Sequence, residues 1–212
     1  MYKIFIKRFL DIIIAIAALI VLLPLFIVLS ICIKIKMGSP ILFKQERIGK
    51  DEKPFNLYKF RSMTNKKDKN GELLPEEERI TKFGEFLRSS SLDELPELFS
   101  ILRGDMSFIG PRPLPTYYKD YFFEEERKRH LVLGGLIPPD SLSGKTYTSY
   151  EEQFKYEVYY VDHISFSLDM KVIFTTFKIL YGRVKTSYGK ELTRPHLNVY
   201  RKDIFNQIKE KK

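Results

Sequence analysis

The feature that most constrains this chain is an apolar run near its start. Residues 12 to 33, IIIAIAALIVLLPLFIVLSICI, form a 22-residue stretch without a charge. As a straight helix such a run measures about 33 Å, enough to reach across the hydrocarbon of a bilayer. A cleaved export signal fits poorly, because its apolar part is about 7–15 residues long and small residues mark a cleavage site behind it. The run is therefore read as a membrane element. Pro24 stands near its middle, where it removes a backbone hydrogen bond and crowds the preceding turn, so a break or kink is expected there. Lys3, Lys7 and Arg8 precede the run, and Lys34, Lys36, Lys44 and Arg47 follow it. Basic flanks favour the cytoplasmic side of a membrane, so both ends are drawn to the same side. A helix that enters and leaves one leaflet and turns at Pro24 satisfies both flanks. A kinked spanning helix is the alternative, since membrane helices tolerate proline. The expectation is a re-entrant membrane helix over residues 1–36 with both termini cytoplasmic.

The rest of the 212 residues suffice for one globular body, expected over 37–183, followed by a basic tail over 184–212. A formal charge of +9 favours an anionic partner: acidic lipid headgroups, nucleic acid or a phosphorylated substrate. The single cysteine, Cys32, lies inside the apolar run, which excludes a disulfide framework and a cysteine-based zinc site. His130, His163 and His196 are scattered without metal-ligand spacing.

Ile41 to Arg47 and Phe55 to Met63 are rich in β-branched and aromatic residues and are joined by the turn-like Gly49 to Pro54, which predicts a β-hairpin. In Tyr58-Lys59-Phe60-Arg61-Ser62-Met63, Lys59 and Arg61 alternate with Phe60 and point to the opposite face. Solvated strand cations are the plain reading of that pair. Residues 64 to 79 are polar and predict a surface loop, and Ile80, Phe83 and Leu87 predict a helix with Arg88 near its end. Farther on, Tyr117 to Arg129 predicts a charged helix with acids first and bases last, and Leu133 to Gly144 a loop. Phe154, Val158 and Val161 mark an amphipathic helix, and Ser167 to Tyr181 a last core helix with Asp169 in its first turn. Val199 to Ile208 has the pattern of a short amphipathic helix for an anionic lipid surface. The fold class is α+β, mostly α: an N-terminal re-entrant membrane helix packed on a small globular domain of amphipathic helices and a short β-hairpin.

Chemistry concentrates between Ser89 and Pro113. Ser91 and Glu94, ahead of Leu95, Leu98, Phe99 and Leu102 at helical spacing, read as a capping box. Pro96 complicates that register. With Ser91 as the cap, Pro96 falls at the fifth helical position and costs a bond, whereas a cap at Asp93 places it in the first turn. Either register leaves Asp93 and Glu94 at the positive end of the helix, where carboxylates stay ionised and phosphate is accepted. An ionised aspartate is a competent nucleophile. Arg103-Gly104-Asp105 reads as a turn, Met106 to Ile109 as a strand, and Gly110-Pro111-Arg112-Pro113 as a stiff loop. The flanking prolines restrict the backbone of Arg112 and would pre-organise a bidentate phosphate ligand. A structural arginine in a proline turn is the plain alternative.

Taken together, these motifs resemble the monotopic phosphoglycosyl transferases, the bacterial sugar transferase family that moves a phosphosugar from a nucleotide diphosphate sugar onto polyprenyl phosphate. The matching residues are Tyr58 to Met63, Arg88 to Gly110 through Ser91-Leu92-Asp93-Glu94-Leu95-Pro96 and Gly104-Asp105-Met106-Ser107-Phe108, and Gly110 to Pro113. With the proline-bearing N-terminal helix and Ser167-Leu168-Asp169-Met170, the resemblance covers residues 1 to about 183. It is nearest to the small catalytic-core form, like that acting in bacterial N-linked glycan assembly, in which no large N-terminal membrane domain comes first.

The resemblance implies a helix broken at Pro24 in the cytoplasmic leaflet of the bacterial inner membrane, and a magnesium-bearing dyad of Asp93 and Glu94. Asp93 would attack the β-phosphate of a UDP-sugar, release UMP and hold the phosphosugar covalently until undecaprenyl phosphate takes it. Glu94 would help bind the metal or position a proton, Lys59 and Arg112 would hold phosphates, and Arg61, Arg88, Asp169 and Lys145 would support the site. The implied partners are a UDP-sugar with an N-acetylated amino sugar, undecaprenyl phosphate and anionic lipids, with no nucleic acid, and a homodimer is an open arrangement. One segment departs from the family pattern. Where members carry a P-G-[IL]-T-G-x-x-Q-V-x-G-R run, this chain reads Gly134 to Lys145, with Lys145 where an arginine is usual. That departure bears on the donor sugar, not on the reaction class. The competing reading is a membrane-anchored basic module that binds lipid or nucleic acid without catalysis.

Overall fold

The apolar run forms one helix, α1 (Lys7–Met37), entered through a π-helical turn at Tyr2–Ile6. The structure is a computed structural model and describes residues 2–185 and 195–210. Helix α1 continues through Pro24, so no gap between two helices separates its halves. Proline removes one N–H, and the apolar residues on either side keep the ladder because their backbone has no better partner in an apolar setting. The most apolar window of α1 has a mean hydropathy of 3.4 and is only 11% buried. By length and composition α1 is able to cross a membrane, and its bare Ile20, Val21 and Leu23 call for lipid as their solvent.

The chain packs as two compact units, one of Met1–Leu10, Glu46–Phe55 and Gly104–Lys212, the other of Asp11–Gln45 and Asn56–Arg103. In the second unit, Leu29, Ile33 and Met37 recur every four residues along one stripe of α1 and pack with Phe60 and Leu87, flanked by Phe26 and Phe83. The expected hairpin is present as β1 (Leu42–Ile48) and β2 (Pro54–Phe60), paired as a two-stranded sheet. The polar segment behind it ends in a short helix, α2 (Glu76–Arg79), where only loop was expected. Helix α3 (Lys82–Ser89) is capped by Thr81, whose Oγ1 accepts the Gly84 N–H at 3.0 Å. A Cβ on Gly84 would stand 1.8 Å from the Ser62 carbonyl oxygen, so only a bare backbone lets α3 lie against this strand end. A 3₁₀ turn (Leu92–Glu94) and α4 (Glu97–Arg103) follow.

In the first unit, β3 (Met106–Ile109) pairs in parallel with β4 (Gly134–Ile137), Met106 opposite Gly134 and Ile109 opposite Ile137. The loop expected over 133–144 is thus a strand followed by a 3₁₀ turn. Its glycines mark close packing: a Cβ on Gly135 would lie 2.1 Å from the Gly110 nitrogen. The charged helix expected over 117–129 is instead two 3₁₀ stretches, Thr116–Tyr121 and Glu124–Leu131. Five of the residues from Tyr117 to Phe123 are aromatic and weak helix formers. The Glu126 carboxylate also takes the Phe123 N–H at 2.9 Å, which starts a new turn there.

Helix α5 (Tyr150–Asp162) is capped by Ser149, whose Oγ accepts the Glu152 N–H, and α6 (Phe166–Lys185) extends the expected last core helix. The amphipathic segment expected over 199–208 occurs as α7 (Leu197–Tyr200) and α8 (Lys202–Glu210), interrupted where Arg201 turns inward. Residues 186–194 of the expected basic tail lie outside the described residues. One apolar cluster of this unit joins Ile48, Leu114, Tyr118, Phe122, Phe154 and Leu197, and another joins Ile109, Tyr160 and Val172. The fold is α+β and mostly helical, as expected, with an N-terminal apolar helix.

Candidate active site

Asp93 owes its position to an unusual local backbone. Ser91 adopts a left-handed conformation with φ of 55°, which turns the chain out of α3 and into the 3₁₀ turn that carries Asp93 and Glu94. Ser91 makes no side-chain cap, and Asp93 lies inside the turn, so neither expected capping register is realised. Pro96 sits directly before α4, where its lack of an N–H breaks no bond.

Asp93 is 9% exposed. Burial is the largest influence on its carboxyl and pushes its pKa up, and the neighbouring Glu94 carboxylate pushes it the same way. The Lys59 and Arg88 cations pull it partly back. The helix end is thus not the main influence on this carboxyl: desolvation is, and it works toward the protonated form.

Lys59, on β2, places its Nζ 2.5 Å from Glu94 Oε1 and 3.2 Å from Glu97 Oε1. Glu97 was not anticipated from the sequence. Its spacing of three from Glu94 across Pro96, opposite a strand lysine, was the available signal. Arg88, at the end of α3, donates its Nε to Ser62 Oγ at 2.9 Å and lies 3.8 Å from Glu76. The second unit thus brings Lys59, Arg88, Asp93 and Glu94 together. Arg61 belongs to that unit but turns elsewhere: it is buried, and its Nη2 donates to the Met37 carbonyl at the end of α1.

Arg112, Lys145 and Asp169 belong to the first unit and have separate surroundings there. Asp169 is buried in the first turn of α6 and accepts bonds from the Tyr2 hydroxyl, from Lys7 Nζ at 2.8 Å and from the Tyr160 hydroxyl at 2.5 Å. It therefore fastens the chain's first residues to α6. Lys145 is exposed and paired with Glu152 at 2.8 Å, which raises its pKa. Arg112 has an exposed side chain, and its backbone is bonded on both sides: its N–H donates to Glu157 Oε1 at 2.8 Å, and its carbonyl accepts from Arg129 Nη2 at 2.6 Å.

Magnesium keeps several waters and takes one or two carboxylates together with substrate phosphates. Asp93 and Glu94, adjacent acids whose mutual repulsion contributes to the raised Asp93 pKa, fit that requirement. Among the described residues no group of three or more His, Cys, Asp or Glu side chains forms a cage of its own.

A buried carboxylate among cations suits phosphate chemistry, and most of the membrane-length apolar helix belongs to the same compact unit. Residues 2–183 match the bacterial sugar transferase family, and the chain belongs to that family. It is 44% identical over 146 residues to an uncharacterized sugar transferase, EpsL, of Bacillus subtilis (strain 168), covering 69% of this chain and 72% of that protein. It is 36% identical to the UDP-glucose:undecaprenyl-phosphate glucose-1-phosphate transferase of Klebsiella pneumoniae, covering 80% of this chain. It is 34% identical to the UDP-N-acetylgalactosamine-undecaprenyl-phosphate N-acetylgalactosaminephosphotransferase of Aeromonas hydrophila, covering 83% of this chain. The chain spans 39% and 44% of the length of these last two relatives.

Proposed function

We propose that this protein transfers a sugar 1-phosphate from a UDP-sugar to undecaprenyl phosphate through a covalent intermediate on Asp93. The observation that carries the reading is the buried Asp93 with its raised pKa, set beside Glu94, Lys59 and Arg88. In the first step an Asp93 oxygen bonds to the β-phosphorus, the bond from that phosphorus to the bridging oxygen breaks, and UMP leaves with the electron pair. In the second, a phosphate oxygen of undecaprenyl phosphate bonds to the same phosphorus and the Asp93 carboxylate leaves, giving undecaprenyl diphosphate sugar and the free enzyme. Desolvation favours this chemistry, because a poorly hydrated carboxylate loses less solvation on attacking phosphorus. Lys59 and Arg112 serve as phosphate ligands, and Glu94 orients Lys59. Asp93 and Glu94 would hold magnesium, which would supply charge neutralisation for the diphosphate. The donor sugar is an N-acetylated amino sugar, and residues 134–145 read it.

The re-entrant topology belongs to this proposal, as does a division into a membrane helix (1–36), a catalytic body (37–183) and a basic tail (184–212). Residues 2–10 and 46–55, which lie on either side of the apolar run 12–33 in the chain, are parts of one compact unit. A bilayer does not run through a packed unit, which supports both flanks lying on one face, the cytoplasmic face of the inner membrane, against anionic lipid.

The test combines donors and mass. Full-length protein is incubated with magnesium and a panel of UDP-sugars, including UDP-glucose, with and without undecaprenyl phosphate, and UMP release is followed. The expected result is a phosphosugar adduct on the Asp93 peptide with donor alone, cleared by the acceptor. Turnover without any adduct would overturn the covalent step, and no UMP release across the panel would favour the non-catalytic module.

A further inference from the structure

The interior of α5 holds an acid where an apolar residue is the norm. Glu157 follows Phe154 and precedes Tyr160 and Val161 on the buried face of the helix, and it is 0% exposed. Its partner Arg129 is 1% exposed, with Nε 2.7 Å from Glu157 Oε2. Such a pair loses both hydration shells, and an apolar pair of equal volume is often as stable, so its presence calls for another reason.

Its remaining bonds supply one. Glu157 Oε1 accepts the Arg112 N–H at 2.8 Å, and Arg129 Nη2 donates to the Arg112 carbonyl at 2.6 Å. The ring closes on one residue: from the Arg112 N–H to Glu157, across the ion pair to Arg129, and back to the Arg112 C=O. Gln153 Nε2 donates to Glu157 Oε1 at 3.0 Å and fixes that carboxylate from the helix side. Phe122 and Phe154 lie under the Arg129 guanidinium at 5.3 and 5.1 Å. Pro111 and Pro113 have no N–H, so Arg112 carries the only backbone donor in that tripeptide, and Glu157 takes it. Both polar groups of its main chain are thus held by buried charges while its side chain faces out.

We propose that Glu157 and Arg129 are positioning residues that set the backbone of Arg112 so that its guanidinium presents a fixed fork to a substrate phosphate. This rests on the reading of Arg112 as a phosphate ligand. Proline alone restrains φ and the preceding residue; the ion pair adds the orientation of both peptide planes around Arg112.

The test uses the full-length protein and UDP as the binding probe. Arg129→Met with Glu157→Met removes the ring without leaving a buried charge, and Arg129→Lys keeps the charge pair while removing the Nη2 donor. The double variant is expected to melt near wild type, to lose amide-exchange protection at Arg112, and to drop UDP affinity and donor kcat/KM by about ten- to a hundredfold, with KM taking the larger share. Arg129→Lys is expected to fall between. In an Arg112→Ala background the double variant should add nothing. If Arg112→Ala itself leaves UDP binding and turnover intact, the phosphate-ligand reading fails. If Arg112→Ala is impaired but the folded double variant binds and turns over as wild type, the positioning role fails while that reading stands. Unchanged exchange protection at the Arg112 amide in the double variant also overturns the positioning role.

Discussion

The Lys59 ammonium lies 2.5 Å from the Glu94 carboxylate and 3.2 Å from that of Glu97, so one strand cation is held by two acids on either side of Pro96. Lys59 also lowers the proton affinity of Asp93, against the burial and the Glu94 charge that raise it. Lys59→Met is therefore expected to raise the Asp93 pKa further and Glu94→Gln to lower it. Carboxyl carbon-13 titration of Asp93 reads both shifts, and the acid limb of the residual activity should follow them.

Asp93→Asn should abolish adduct formation without harming the fold. A carboxyl whose pKa is raised in the folded state contributes stability at pH below its ordinary range and loses it as pH rises through the raised value. Near neutrality the charge is a burden on the fold. Thermal melts at neutral pH should then show the Asn variant at or above wild type, and a marked fall would contradict the burial argument.

Gly84→Ala should be disproportionately damaging for so small a change. Its Cβ would meet the Ser62 carbonyl oxygen at 1.8 Å, and backbone cannot yield as a side chain does. A loss of about 1–3 kcal/mol is expected in chemical denaturation. Arg88, which rides on the same helix and bonds Ser62 Oγ, should be displaced with it, lowering activity even in the folded fraction.

His130 sets an acid limit on stability. Burial, with Arg129 and Arg127 nearby, pushes its pKa down to about 3 from the ordinary 6.5. The unfolded chain binds a proton at this site below pH 6.5 that the folded chain refuses until about pH 3. Stability should therefore fall as pH drops through that window, by up to about 1.4 kcal/mol per unit from this group. His130→Phe should flatten the slope in melts across the same range.

Arg201 anchors the segment beyond the family match. It is buried, pairs bidentately with Glu126 at 2.6 and 2.8 Å, and stacks on Phe123 at 4.6 Å, while Leu197 sits in the core. Arg201→Ala is expected to cost about 3 kcal/mol, since it removes the cation that pairs with Glu126. Limited proteolysis should then cut within residues 195–210 first.

Much of this was legible because it rests on local pattern. The apolar run, the hairpin, α3, α5 and α6 follow from hydrophobic period and turn residues, and Asp93, Glu94 and Lys59 stood out as charges in ordered motifs. What escaped depends on distant partners. Gly134 and Gly135 read as loop because nothing near them shows that Gly110 will lie against them. The run to Arg129 read as a charged helix because nothing local shows that its end will be buried against Glu157, 28 residues on. An acid on the apolar face of α5 was the clue to that pairing. Pro24 is a strong local signal that lies inside one continuous helix rather than in a gap between two.

The bonds from Tyr2 and Lys7 to Asp169 join residues 167 and 162 positions apart. During synthesis the apolar run leaves the ribosome long before Asp169 exists, so α1 meets the bilayer while the unit that will hold its leading end is unmade. Closing that unit is then a late event with a large loop to bring together. Until it happens nothing in that unit holds the leading end of α1, whose bare apolar side chains favour lipid over water.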